Sequence, residues 1–163
     1  FSLSQDIGVT VSEADQYIKD YLETYSGVRQ YMEDTVEFAK ENGYIATLFG
    51  RRRALPEISA RNKNIVNFGK RVAMNTPIQG TAADILKLAI TRILAGLPER
   101  EWLKPILQIH DELTFIIPED RLSEAVAFIR ACMEEKPFPE FDLPLIAEAS
   151  AGPTFGMMEE LED

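Results

Sequence analysis

The stretch Ile106-Leu107-Gln108-Ile109-His110-Asp111-Glu112-Leu113-Thr114-Phe115-Ile116-Ile117 places the tightest constraint on how this 163-residue chain can fold. Two apolar, β-rich runs flank three consecutive polar residues, which predicts a β-hairpin carrying an imidazole and two carboxylates at its apex. Hairpin turns selected for geometry alone favour Asn-Gly, Asp-Gly or a Gly pair, because the tight turn types need positive φ. No Gly or Pro lies between Leu107 and Ile117. The turn is therefore read as selected for what its side chains carry, the setting in which backbone strain is stored.

Carboxylate oxygens suit Mg²⁺, and Mg²⁺ sites for phosphoryl transfer use one or two protein carboxylates plus phosphate oxygens. Asp111 is the first candidate for a metal ligand. Neighbouring side chains on a strand point to opposite faces, so Glu112 is the weaker one. Taken alone, these three residues also fit an ordinary solvated polar turn.

The chain has the length of one domain, and 45% apolar residues are enough for a sizeable core. No apolar run reaches the roughly 18 residues of a membrane span, and Phe1-Ser2-Leu3-Ser4-Gln5-Asp6 lacks the basic and apolar regions of a signal peptide. A soluble, cytoplasmic protein with no membrane partner is expected. The single cysteine, Cys132, falls on the apolar face of a predicted helix, which fits a core position in a reducing compartment.

A net charge of −10 argues against a nucleic-acid partner until its distribution is considered. Between Gly50 and Val72 lie Arg51, Arg52, Arg53, Arg61, Lys63, Lys70 and Arg71 against Glu57 alone, a local balance of +6 that leaves −16 for the remainder. One concentrated basic zone thus sits on an acidic body. The bland alternative is a solvated charged loop.

Thr10-Val11-Ser12-Glu13 has the form of a capping box, and Ala14, Tyr17, Ile18, Tyr21, Leu22 and Tyr25 follow at helical spacing, predicting a helix over about 11–25 with an aromatic stripe in the core. Ser26-Gly27 breaks it, and a second helix runs to Asn42-Gly43. Tyr44–Phe49 reads as a strand closed by Gly50 and the arginine triplet. A helical stretch from Glu57 or Arg61 to Met74 is interrupted around Asn75–Gly80, where Pro77 removes a hydrogen bond, and then continues to Gly96-Leu97-Pro98. After the hairpin, Leu122 to Met133 form an amphipathic helix, and Leu143, Leu145, Ala147 and Ala149 alternate as a final strand before Gly152-Pro153 and an acidic tail. The fold class is α+β, helices packed on a small antiparallel sheet. Arg71, Asn75 and Gln79 recur at steps of four and share one helix face.

Three segments carry a resemblance to a known family. Gln108-Ile109-His110-Asp111-Glu112-Leu113, Arg71 through Asp84 (RVAMNTPIQGTAAD) and Thr47-Leu48-Phe49-Gly50-Arg51-Arg52-Arg53 resemble motifs of family A, DNA polymerase I-like, DNA polymerases, in the same order and at similar spacing. The resemblance implies that residues 1–163 are the C-terminal part of such a polymerase domain, the end of the fingers region plus most of the palm. It implies DNA-templated DNA synthesis in replication and repair, with two Mg²⁺ ions, primer-template DNA and dNTP as cofactors and partners. Asp111 would be one of two metal-binding aspartates, Glu112 an adjacent acidic helper, and His110 a neighbour of the primer terminus. Arg71, Asn75 and Gln79 would contact the duplex on its minor-groove side, joined by Gln108. Arg51, Arg52 and Arg53 fit phosphate contacts best.

The family's earlier motif with the other metal-binding aspartate has no counterpart here, nor does the fingers helix whose Arg, Lys and Tyr bind the triphosphate. The chain is therefore expected to be a fragment whose missing N-terminal part is a further partner, and not to polymerise by itself. Two other classes compete. A His-Asp phosphohydrolase needs several histidines, and His110 is the only one. A noncatalytic DNA-binding module keeps the basic zone and donor face but needs no Asp111.

Overall fold

The computed structural model describes residues 2–161 and divides into two units that meet between Thr81 and Ala82. The first begins with a short helix, α1 (Ser2–Asp6), which the sequence pattern did not announce. Helix α2 (Val11–Thr24) starts where the capping box places it. The Thr10 hydroxyl accepts the Glu13 N–H at 3.2 Å while the Glu13 carboxylate accepts the Thr10 N–H at 2.9 Å and its hydroxyl at 2.7 Å. These bonds hold the Glu13 carboxyl below its ordinary pKa, the Thr10 hydroxyl first and its N–H second. Ser26-Gly27 is only a hitch: Tyr25 alone leaves helical geometry, and α3 runs from Ser26 to Asn42. Gly43, at φ 71, ends it in the left-handed conformation that glycine adopts without a Cβ penalty.

The chain then turns through strands β1 (Tyr44–Ala46) and β2 (Arg52–Ala54), paired antiparallel with Ile45 opposite Arg53. Two of the three arginines therefore stand on a strand rather than in a loop. A 3-10 turn at Pro56–Ser59 leads to α4, Lys63–Gly96. Ala39, Ile45, Leu55, Ile58 and Ala73 form the core of this unit, with Val72 packed against it. Core contacts on α4 come from small residues. A Cβ on Gly69 would meet the Ile58 backbone nitrogen at 3.0 Å, so the 3-10 turn lies almost on the helix backbone.

Pro77 does not end α4, which continues through it for 34 residues. Proline leaves the carbonyl four residues back without its N–H and crowds the neighbouring turn. The Tyr31 hydroxyl of α3 donates to the Met74 carbonyl at 3.2 Å, supplying a donor within that turn. The helix is also held by packing on both sides of the proline, with Ala73 buried before it and Ala89 and Ile93 after it.

In the second unit, β3 (Lys104–Ile109) and β4 (Glu112–Ile116) pair antiparallel with an irregularity between Pro105 and Leu107. Helix α5 (Leu122–Glu134) follows. Gly96 near the end of α4 faces Phe128, whose ring atoms a Cβ would meet at 2.5 Å, and Arg100 lies 4.0 Å over the same ring. The Arg92 guanidinium clamps the end of α5, donating to the carbonyls of Cys132 (3.3 Å), Glu135 (2.8 Å) and Lys136 (2.9 Å) and pairing with the Glu135 carboxylate at 3.1 Å. Cys132 is buried as expected, and burial raises its thiol pKa.

Three further expectations change. The α+β class stands, but the described residues hold three separate two-stranded ladders, not one sheet. Residues 144–149 alternate in exposure, with Leu143 open to solvent, yet pair with no strand; the short β5 (Ser150–Ala151) pairs with β6 (Glu159–Glu160). The aromatic stripe of α2 is not core, since Tyr17, Tyr21 and Tyr25 are each more than half exposed while Ala14 is buried. Of the acidic tail, Glu162 and Asp163 lie outside the described residues, as does Phe1. Among the described residues no helix is long and apolar enough to cross a membrane.

Candidate nucleic-acid interface and acidic turn

The first unit carries the basic zone and the donor face. Arg71, Asn75 and Gln79 are all exposed, on the side of α4 away from the buried Gly69 and Ala73. At 1.5 Å rise per residue they span about 12 Å, with donors about 6 Å apart, which corresponds to three or four base-pair steps of a duplex. Arg71 lies 6.0 Å over the Phe68 ring, which restrains its direction. Exposed Ile78 interrupts this polar face beside Gln79.

Arg51, Arg52 and Arg53 are exposed on the β1–β2 hairpin. Arg52 stacks 4.6 Å over Tyr44, whose ring meets Phe38 edge-on at 5.6 Å, so its guanidinium is carried on an aromatic platform. The loop is closed by Thr47 N–H donating to the Arg51 carbonyl (3.0 Å) and Gly50 N–H to the Thr47 carbonyl (2.9 Å), with Gly50 at φ 78. Seven like charges from Arg51 to Arg71 against one acid make this an anion-attracting surface.

The second unit carries the acidic turn. Ile109 pairs with Glu112, so the turn proper is His110-Asp111, and Glu112 is the first residue of β4 rather than part of the apex. His110 sits at φ 52, and among the described residues it is the one non-glycine residue with positive φ. A positive φ at the first central position followed by a negative one is the pattern of a II′ turn, which normally takes Gly there. The Gln108 side-chain amide donates to the His110 carbonyl at 3.3 Å, bracing the turn. Strain at this position is what a turn kept for its side chains would show.

Asp111 and Glu112 are both exposed, and neither carboxylate hydrogen-bonds or ion-pairs with another described residue. Hard, solvent-facing carboxylate oxygens fit Mg²⁺ as one or two ligands of a site completed from elsewhere. Among the described residues no group of three His, Cys, Asp or Glu is gathered to hold a metal. Each predicted site residue is thus exposed on its own unit: the basic and amide donors on the first, the acidic turn with Gln108 on the second. Sequence reasoning missed Thr47, Gly80 and Thr81, which tie the hairpin tip to α4; the Gly-Thr step lay in view within the Arg71–Asp84 motif.

Comparison with known proteins gives the context. The DNA polymerase family A profile matches residues 1–157. The chain is 43% identical over 156 residues to DNA polymerase I of Bacillus subtilis (strain 168), covering 95% of this chain and 18% of that protein. It is 39% identical over 155 residues to the thermostable DNA polymerase I of Thermus filiformis, covering 92% and 18% respectively. Among solved structures, the polymerase domain of Pol1 from M. smegmatis, in complex with DNA primer-template and dNTP, matches with a TM-score of 0.81 at 35% identity over 89% of this chain and 25% of that one. The chain therefore spans less than a fifth of the length of these curated relatives. With the motifs in order and the profile running through almost every residue, the chain belongs to DNA polymerase family A.

Proposed function

We propose that this chain is the C-terminal part of a DNA-directed DNA polymerase, the end of its fingers region and most of its palm, and that it works with the remaining N-terminal part on primer-template DNA and dNTP. The reading rests on one observation above the others: a strained, glycine-free turn presents Asp111 as an unengaged carboxylate in a family A chain. Asp111 would hold Mg²⁺ with a second aspartate supplied from outside these residues. Divalent metal held there would supply charge stabilisation for an in-line phosphoryl displacement, and the part of this chain in it would be the Asp111 carboxylate at the turn. Glu112 supports the local negative charge, and His110 stands beside the primer terminus.

Arg71, Asn75, Gln79 and Gln108 donate to the duplex in its minor groove. Every Watson-Crick pair offers acceptors at similar positions there, so such donors sense pair geometry without reading sequence. Arg51, Arg52 and Arg53 hold phosphates, which position the duplex without specifying it. The relative in M. smegmatis, solved with primer-template and dNTP, supports both partners. Such a polymerase acts in replication and repair, inside the cell where its DNA and nucleotides are.

Placing these residues over the matched 156-residue segment of the Bacillus subtilis enzyme is expected to give Mg²⁺-dependent primer extension. A folded exchange protein that binds primer-template but never extends it would favour a noncatalytic DNA-binding module. The 163-residue chain alone is expected to incorporate no nucleotide, having one aspartate of the pair.

A further inference from the structure

The β1–β2 hairpin presents its arginines from a ladder of only three residue pairs, and an isolated two-stranded ladder of that size is marginally stable in water. Something else must fix where it points. At its base, Ile45 and Leu55 are anchored in the core beside Ala39, Ile58 and Ala73. At its tip, the anchoring is polar and close. The Thr81 hydroxyl of α4 accepts the Leu48 N–H at 3.0 Å, and the Thr47 hydroxyl accepts the Arg51 N–H at 3.2 Å. Both threonines are buried, 6% and 7% exposed, although the residues around them in the loop are open to solvent. A Cβ on Gly80 would stand 2.6 Å from the Thr47 Cγ2 methyl, so only glycine lets the tip approach this closely.

We propose that Gly80 and Thr81 form a socket on α4 that receives Thr47 and the Leu48 N–H and thereby sets the arginine hairpin at a fixed offset from the donor face of the same helix. Gln79 immediately precedes the socket on α4, and Arg51 is bonded directly to Thr47 on the hairpin. The phosphate-facing and groove-facing groups are thus joined through one buried contact, and Thr47, Gly80 and Thr81 are positioning residues that touch no DNA themselves. This rests on the reading of Arg51, Arg52 and Arg53 as phosphate contacts given above. A socket of this kind matters because a cation displaced by a few ångströms exchanges a direct phosphate contact for a screened one.

The test is fluorescence anisotropy of a labelled primer-template duplex with the full 163-residue chain, read as the dependence of affinity on salt. Each phosphate contact contributes about 0.9 to the slope of log affinity against log salt. Replacing Arg51, Arg52 and Arg53 together by Ala should lower the slope by up to about 3. Thr81→Val, which keeps the volume and loses the acceptor, and Gly80→Ala, which forces the Thr47 methyl away, should each lower it by about 1 or more. Thr81→Ser should retain the wild-type slope. Adding the triple arginine change to Thr81→Val should lower it less than in the wild type, since those contacts are already partly lost.

A merely structural role would change the melting temperature without changing the slope, so both are recorded. Gly80→Ala leaves the Thr81 hydroxyl in place and provides a second, independent variant should Thr81→Val fail to fold. If the triple arginine variant lowers the slope while folded Thr81→Val or Gly80→Ala keeps it, the socket is refuted and the arginine reading stands. If the triple variant itself leaves the slope unchanged, the phosphate-contact reading falls and the socket falls with it.

Discussion

His110→Gly should stabilise the chain even as it impairs the site. His110 holds φ 52, a conformation that costs an L-residue about 1–2 kcal/mol relative to the right-handed region and costs glycine almost nothing. Glycine gains freedom in the unfolded chain, which opposes this by about 0.5–1 kcal/mol. The imidazole is exposed, so its removal forfeits little packing. The net expectation is a gain of about 0.5–1 kcal/mol, or about 1–4 °C in melting temperature for a chain of this size. His110→Ala removes the same ring and keeps the strain, so it should show no gain. Calorimetric melting of the three proteins measures the difference, and amide exchange at Gln108 and Leu113, which pair across the ladder, localises it to the hairpin. Equal stabilities for His110→Gly and His110→Ala, or a loss confined to His110→Gly, would refute stored strain at the turn.

Arg92→Ala should lower stability by about 2–3 kcal/mol, because a largely buried guanidinium would no longer serve three carbonyls at the end of α5; urea unfolding should show a lower midpoint with little change in m. Arg92→Lys should recover only part of this, since an ammonium lacks the planar fork. Glu13 gives a pH dependence with a defined sign: its folded-state pKa is lowered by the Thr10 hydroxyl and N–H, so its contribution is full above the ordinary carboxylate pKa and disappears as pH falls through the lowered value. The stability difference between the wild type and Glu13→Ala should accordingly shrink on acidification below the usual carboxylate range, and a difference that grows there would contradict the capping box. The buried Cys132 thiol should react with an aromatic disulfide reagent far more slowly in the folded chain than in denaturant.

Features decided within a few residues were readable from the sequence. Thr10 and Glu13 fix the start of α2 through bonds to each other, Gly43 ends α3 through its own backbone freedom, and the apolar, β-rich runs on either side of His110-Asp111 pair as a hairpin. Features decided by distant partners were not. Pro77 is a helix breaker locally, yet α4 passes through it because α3 and the small-residue face of α4 hold the helix there. Residues 143–149 read like a strand but join no ladder; the Glu134 carboxylate accepts the Ala147 N–H at 2.9 Å, and the Ala149 carbonyl accepts the Leu161 N–H at 2.8 Å. Tyr17, Tyr21 and Tyr25 have core spacing but remain open. Strand β2 was hidden because Arg52 and Arg53 lack strand propensity and pair only through Ile45 and Ala46 opposite them.

The proposed site residues were named in the sequence, and their surroundings were not. Asp111 was singled out for the missing glycine in its turn, and positive φ at His110 is the physical counterpart of that absence. Four-residue spacing put Arg71, Asn75 and Gln79 on one helix face, and their proposed role as duplex donors came from the family resemblance. Thr47, Gly80 and Thr81 were not legible as a unit, because the closeness of a methyl to a missing Cβ exists only after α4 and the hairpin are docked.

The most direct measurement is single-turnover primer extension by the segment-exchanged Bacillus subtilis polymerase with Asp111 intact or replaced by Ala, alongside primer-template affinity. Losing one carboxylate of a two-ion site removes several kcal/mol of transition-state stabilisation, so the extension rate should fall by about 10³-fold or more while affinity changes by only a few-fold. Extension that survives Asp111→Ala within about tenfold would contradict the metal-ligand assignment and leave the chain as a DNA-binding element without a catalytic carboxylate.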